Sequence, residues 1–172
     1  GISMYEALRQ FGFNPDEIAA ARRRPGSVKA FLELHIEQGP ILEAEGLEIG
    51  IVQEIVGIHD MKIKITGRQG HAGTIPMHLR ADALKAAAKV IVRIAELAVE
   101  EGEGTVATVG WLSVKPGGFN IIPGEVEFSV DIRSGKRQHV DNVSRRIGEV
   151  LQEISADTGV VAELSSLMNV PP

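Results

Sequence analysis

Not one of the 172 residues is cysteine, which excludes a disulfide framework and thiolate chemistry and fits a reducing compartment. No apolar run approaches the length of a membrane span, and the opening segment GISMYEALRQ has no basic leader followed by an apolar core. The expectation is a soluble, cytoplasmic protein. Positive charge is not in excess either: 18 Lys and Arg stand against 23 Asp and Glu, for a net charge of -5. That balance argues against a nucleic-acid surface or a polybasic membrane patch. The one basic cluster, Arg22-Arg23-Arg24, runs straight into Pro25-Gly26 and reads as the end of a helix. There is no low-complexity tract and no internal repeat beyond two βαβ halves.

The chain does contain two kinds of hydrophobic period. Residues 1 to about 30 read as short helical pieces, the second opened by an Asn14 cap with Pro15 behind it. In AFLELHIEQGP, Leu32, Leu34 and Ile36 alternate with Glu33, His35 and Glu37, which predicts a strand with an apolar back and a polar front. ILEAEG predicts a turn or two of helix. From about residue 48 a self-contained unit begins. A strand-rich stretch with Ile63 and Ile65 opposite Lys62 and Lys64 precedes a long helix, predicted to bury Leu84, Ala87, Ala88, Ile91, Ile94, Ala95 and Ala98. TVATVGWLSV and EVEFSVDIR predict two more strands, the second with Val126, Phe128, Val130 and Ile132 inward. A second helix follows with Val140, Val143, Ile147, Val150, Leu151 and Ile154 on one face, ended by Thr158-Gly159, and VVAELSSL is the last strand. The fold class is therefore α+β. A ferredoxin-like β-α-β-β-α-β two-layer sandwich, with a four-stranded antiparallel sheet and both helices on one face, is the simplest arrangement. The boundary with the N-terminal piece falls near Leu47 to Gly50.

Three features could carry chemistry. His35 is either a solvated histidine on a sheet face or a metal ligand flanked by Glu33 and Glu37; no other histidine has ligand spacing with it. His71 sits in GRQGHAGTIP among Gly67, Gly70 and Gly73. The glycines could simply build a strand-to-helix turn, but an imidazole at such a tip can also donate to a substrate oxygen as charge develops there, with Gln69 as a second polar contact. Asn120 and Arg133 are the third. Pro123-Gly124 predicts a type II turn pairing the Asn120 segment with the strand that ends at Arg133. Arg133 shares a face with Asp131, so it is either half of a surface ion pair or a fork for a carboxylate. HVD, from His139 to Asp141, and Glu100-Glu101 imitate metal and general-base motifs but read as solvated helix ends.

Together ELHIEQGPILE, GRQGHAGTIPMHLRADAL and NIIPGEVEFSVDIR resemble the amidase/hydantoinase/carbamoylase family, whose members include N-carbamoyl-L-amino acid hydrolases, allantoate amidohydrolases and β-ureidopropionases. The resemblance implies a four-stranded, two-helix lid that mediates homodimerisation, over residues 49–167. It implies that 1–48 belong to the metal-binding catalytic domain and that 168–172 return to it. By position it makes His35 a ligand of one of two divalent metals (zinc or manganese), Gln38 a neighbour of the substrate, and His71 the lid histidine that polarises the scissile carbonyl in the partner's active site. Asn120 and Arg133 would hold the substrate, Arg133 taking its carboxylate. The family's H-x-D motif, its Glu-Glu general base and its last histidine ligand have no counterpart here, so an isolated chain of this sequence is expected to be an inactive piece of a ureido-acid hydrolase. The alternative is a stand-alone module that binds a small carboxylate or oligomerises without catalysis.

Overall fold

The computed structural model describes residues 1–102 and 104–172, which divide into two compact units, Gly1–Gly50 and Ile51–Pro172. In the first unit, helix α1 (Met4–Gln10) begins with a capping box between Ser3 and Glu6. A 3₁₀ helix (Pro15–Ala21) is capped by Asn14, and α2 (Ile41–Glu45) ends at Gly46 with φ 67°. The strand predicted over 31–37 does not form. Leu32 and Leu34 are 93% and 94% exposed and Ile36 is 75% exposed, so the apolar back covers nothing. Alternation makes a strand only where another strand completes its ladder, and among the described residues none pairs with this segment.

The second unit is the predicted sandwich. Strand β1 (Gly57–Thr66) leads to a two-residue strand β2 (Gly70–His71), a 3₁₀ turn (Met77–Leu79) and helix α3 (Ala83–Glu101). Then come β3 (Val106–Thr108), β4 (Leu112–Lys115), β5 (Ile121–Ile122), β6 (Glu125–Ser134), α4 (Arg137–Thr158) and β7 (Val161–Val170). The main sheet is antiparallel in the order β3-β6-β1-β7, with β4 also on β6. The predicted second strand is thus broken in two. Thr108 opposes Asp131 while Leu112 opposes Phe128, so the edge strand carries one extra residue, a bulge around Gly110. β7 has a similar shift where its pairing passes from Asp60 to Met61.

Strict alternation decides which face is core. Met61, Ile63 and Ile65 from β1 and Val126, Phe128, Val130 and Ile132 from β6 are buried under the helices. α3 packs on β1, β6 and β3, and α4 packs on β1, β6 and β7. α4 buries Val140, Val143, Ile147 and Leu151, as its period predicts, and stops at Gly159 with φ 69°. α3 is rotated from its predicted stripe: Ala83, Ala86, Ala87, Val90, Ile94, Leu97 and Ala98 face the core, while Leu84, Ala88 and Ala95 are exposed. Its sequence is apolar on two sides, so periodicity alone could not choose between them. His139 to Asp141 and Glu100-Glu101 lie at helix ends, in the first turns of α4 and at the close of α3. Glu100 pairs with Arg93 and with Arg146 across the helix pair, Glu101 accepts from Asn142 Nδ2 at 2.9 Å, and Asp141 pairs with Arg137. His139 Nδ1 bonds the Thr105 hydroxyl at 3.1 Å.

One core-facing polar residue interrupts the β1 pattern. His59 is buried with Ser144 Oγ 2.8 Å from Nδ1 and Ser166 Oγ 2.9 Å from Nε2. The Ser144 hydroxyl donates to Val140 O at 2.7 Å, so it accepts from Nδ1–H, and Nε2 then accepts from Ser166. Burial holds the His59 pKa below its ordinary 6.5; Asp141 and Asp60 pull it up and Arg137 pushes it down, without reversing the direction. The unfolded chain takes up a proton that the fold resists, so this contribution to stability is complete above 6.5 and falls as pH drops below it. Glu100 and Glu125 act in a lower window: Arg93 and Lys115 respectively are the main causes holding each near 2, so their contribution is lost as pH falls from 4.5 toward 2. The melting temperature is expected to drop between about pH 7 and about pH 5, and His59→Gln is expected to flatten that slope. An unchanged slope in the variant would assign the drop to other groups.

Candidate active-site elements

Gln69, His71 and Asn120 come together at one end of the second unit. Gly67 N–H donates to Gly124 O at 2.8 Å where β1 ends and β6 begins. Gly67 could not carry a side chain in place, because a Cβ there would stand 2.1 Å from Ala81 O; one on Gly124 would stand 3.1 Å from Gln69 Cβ, which would have to give by a few tenths of an ångström. The chain then leaves the main sheet, and β2 pairs with β5, His71 opposite Ile121. Ala72 N–H donates to Asn120 O at 2.9 Å, which fastens the loop of His71 to the segment carrying Asn120. The predicted type II turn is absent. Gly124 has no positive φ, and the segment before it pairs with β2 rather than with β6, because Pro123-Gly124 is where the chain crosses between two sheets.

His71 itself is exposed, and its Nδ1 accepts the Gly73 backbone N–H at 3.0 Å. An accepting Nδ1 places the ring proton on Nε2, so the free nitrogen is a hydrogen-bond donor. Gly73 favours that fit: a Cβ there would stand 3.2 Å from the imidazole Cε1, and the ring would have to shift by a few tenths of an ångström. Beside this end lies Phe119, fully exposed, which sequence reasoning passed over; an aromatic set between Gly118 and Asn120 was the available signal.

Arg133 is elsewhere. It is eight positions along β6 from Glu125, about 26 Å at the usual rise of a strand. It lines an open depression of about 480 Å³ on the helix-free face with Asp60, Thr108, Ser129 and Asp131. Its Nε and Nη2 both bond the Asp131 carboxylate, at 2.8 and 2.7 Å, which raises the guanidinium pKa further. The ion pair foreseen as one reading therefore forms, and it leaves Nη1 turned away from Asp131. Arg133 and Asn120 do not meet in one chain.

His35 and Gln38 belong to the first unit. Both are exposed. His35 Nδ1 donates to the carbonyl of its neighbour Ile36 at 2.6 Å, which leaves the Nε2 lone pair free, the tautomer a metal ligand uses. Glu37 is engaged as a cap, accepting from the N–H groups of Ile41 and Leu42. Among the described residues no three His, Asp or Glu side chains converge as a metal site, so none stands with His35 as a further ligand. Gln38 has φ 57°, the one non-glycine residue in the left-handed region among those described, a conformation that costs on the order of 1 kcal/mol and often marks a functional turn.

Residues 54–159 match the family model described as the peptidase dimerisation domain. The chain belongs to that family. It is 45% identical over 172 residues, all of this chain and 42% of the relative, to an N-carbamoyl-L-amino-acid amidohydrolase of Paenarthrobacter aurescens. It is 34% identical to an allantoate deiminase of Arabidopsis thaliana, over 98% of this chain and 34% of that one. Among solved structures it resembles a hydantoinase/carbamoylase family amidase from Burkholderia ambifaria, with a TM-score of 0.88 and 33% identity over 99% of this chain and 41% of that one. This dimerisation domain and its N-terminal unit together span about two fifths of the curated relatives' length. No helix among the described residues is long and apolar enough to cross a membrane.

Proposed function

We propose that the chain is the lid and dimerisation portion of a metal-dependent amidohydrolase that cleaves the carbamoyl C–N bond of N-carbamoyl amino acids or similar ureido acids. The observation that carries this is the His71 loop: a glycine-bounded imidazole held outward with its proton on Nε2, next to Asn120. The names of the relatives supply the substrate class. In the proposed reaction His71 donates its N–H to the carbonyl oxygen as negative charge builds there, and the Asn120 amide and Gln69 add polar contacts. Arg133 receives the substrate carboxylate on its Nη1 side while Asp131 holds the guanidinium plane, and Gln38 contacts the substrate from its strained turn. A pair of divalent ions, zinc or manganese, would supply Lewis-acid chemistry, with His35 as one ligand. The described residues of this chain do not complete their site. Accordingly the isolated chain is expected to hydrolyse nothing.

The same geometry supports a homodimer. The His71 loop is fastened to Asn120 and Ile121, before β6 begins, while Arg133 lies about 26 Å along β6 from Glu125, a span too long for the two ends of one small ureido acid, so a single site using both takes them from two chains. The rotated α3 also leaves an unpartnered apolar stripe, Leu84, Ala88, Val92, Ala95 and Val99, with Val92 61% and Val99 81% exposed. A stand-alone carboxylate-binding module has less support, since it leaves the exposed His71 loop without a role.

The full-length protein, loaded with zinc or manganese, is expected to release ammonia from N-carbamoyl-L-amino acids, ureidopropionate or allantoate. No turnover of any of the three would overturn the reading. Arg133→Lys keeps the charge but loses the fork, and is expected to raise KM by roughly tenfold with kcat changed less, the cost of one charge-assisted hydrogen bond. An unchanged KM would remove Arg133 from substrate binding.

A further inference from the structure

The half-buried Arg80 is the cation built into the loop that presents His71. Its Nε donates to Ile75 O at 2.9 Å and its Nη2 to Ala72 O at 2.6 Å, so one planar fork closes the turn from both ends. Inside that turn the N–H groups of Thr74 and Ile75 both reach back to His71 O, and the Gly73 N–H meets the imidazole Nδ1. Arg80 is itself held. Arg68, just past the end of β1, accepts no freedom for the 79–81 segment: its Nη2 donates to Leu79 O at 2.8 Å and its backbone N–H to Ala81 O at 2.7 Å. Gly67 lets Ala81 come that close, and Asp82 then caps α3 by accepting from the N–H groups of Leu84 and Lys85. A rigid path therefore runs from the sheet and α3, through Arg80, to the backbone on both sides of Gly73.

We propose that Arg80 is a positioning residue for His71: by bridging the Ala72 and Ile75 carbonyls it keeps the Gly73 N–H on Nδ1, and so keeps the ring proton on the outward Nε2. The role rests on His71 as the donor to the developing oxyanion. Without the bridge, two part-buried carbonyls lose a charged donor and the turn is free to open. Gly73 then leaves Nδ1, and the imidazole samples both neutral tautomers, one of which presents a lone pair, not a donor, to the substrate oxygen. The ground state would bind much as before, because the loss falls where charge develops.

The test uses the full-length protein with Arg80→Gln, Arg80→Lys, His71→Ala and the Arg80→Gln/His71→Ala pair, together with ¹⁵N shifts of the His71 ring in histidine-labelled protein. Arg80→Gln is expected to lower kcat by roughly 10- to 100-fold with KM within about threefold, the scale of a misplaced catalytic group. His71 is expected to pass from a single Nε2–H pattern to averaged nitrogen shifts. Arg80→Lys, whose ammonium can still reach one carbonyl, is expected to recover part of both, and it carries the test if Arg80→Gln fails to fold. On the His71→Ala background, Arg80→Gln is expected to cost nothing further. An unchanged ¹⁵N pattern, or a full additional loss in the double variant, would overturn the positioning role. Full activity in His71→Ala would instead overturn the reading of His71, and the ¹⁵N pattern would still decide what Arg80 holds.

Discussion

Replacing His71 by Ala in the full-length protein is expected to lower kcat by about 10²- to 10³-fold while KM moves little, the usual consequence of deleting one preorganised oxyanion donor. The expectation comes from where the hydrogen bonds go. The Gly73 N–H occupies Nδ1, no hydrogen bond engages Nε2–H among the described residues, and the exposed ring has no packing role for the substitution to disturb. The melting temperature should therefore stay within a degree or two of the wild type, since surface changes away from structural contacts are worth about 0.5 kcal/mol or less. His71→Asn offers a donor from a shorter side chain and should fall between the two. A drop in kcat smaller than about tenfold for His71→Ala would place the chemistry elsewhere.

The largest effect on stability belongs to Phe128→Ala, expected to cost about 3–5 kcal/mol. Phe128 is fully buried, the largest such side chain in the core, and sits on β6, the strand that pairs with β1 on one side and β3 and β4 on the other. Its ring faces α3 and α4 at the level of Ile63 and Leu112, its cross-strand partners. Truncation leaves a void that three strands and two helices would have to close together, which they cannot do without giving up other contacts. Denaturant unfolding of the variant measures the cost directly. A loss below about 1 kcal/mol would mean that the sheet collapses onto the gap far more freely than this packing implies.

How far the sequence announces this molecule depends on whether the deciding partner is local. β6 and α4 are legible because one face of each is uniformly apolar and the other uniformly polar, so Val126 to Ile132 and Val140 to Leu151 have only one way to turn. α3 has apolar residues on two faces, and only the packing against β3 and α4 shows that Ala83, Val90 and Leu97 are inside and Leu84 and Val92 are not. Leu32, Leu34 and Ile36 alternate as cleanly as β6 does, yet no ladder receives them. Pro123-Gly124 has the composition of a hairpin turn, but the competing pairing of β5 with β2 carries the chain into a second sheet. Of the candidate site, His71 stands out because glycines crowd a residue that needs no such freedom. The separation of Arg133 from Asn120 follows once β6 is counted as a ten-residue strand. Arg80 carries no sequence signal, since its two acceptors are backbone carbonyls that any residue provides.

In the proposed homodimer one active site draws on two chains, His71 from one and Arg133 from the other. The direct measurement is complementation in a purified heterodimer, with His71→Ala in one full-length chain and Arg133→Ala in its partner, each carrying a different affinity tag. Either homodimer should be nearly inactive. In the heterodimer one site receives both defects and the other receives neither, so the account predicts about half the wild-type rate per dimer, the fraction of intact sites in a two-fold assembly. A heterodimer no more active than the two homodimers would mean that each site takes both residues from the same chain, and would rule out the shared site.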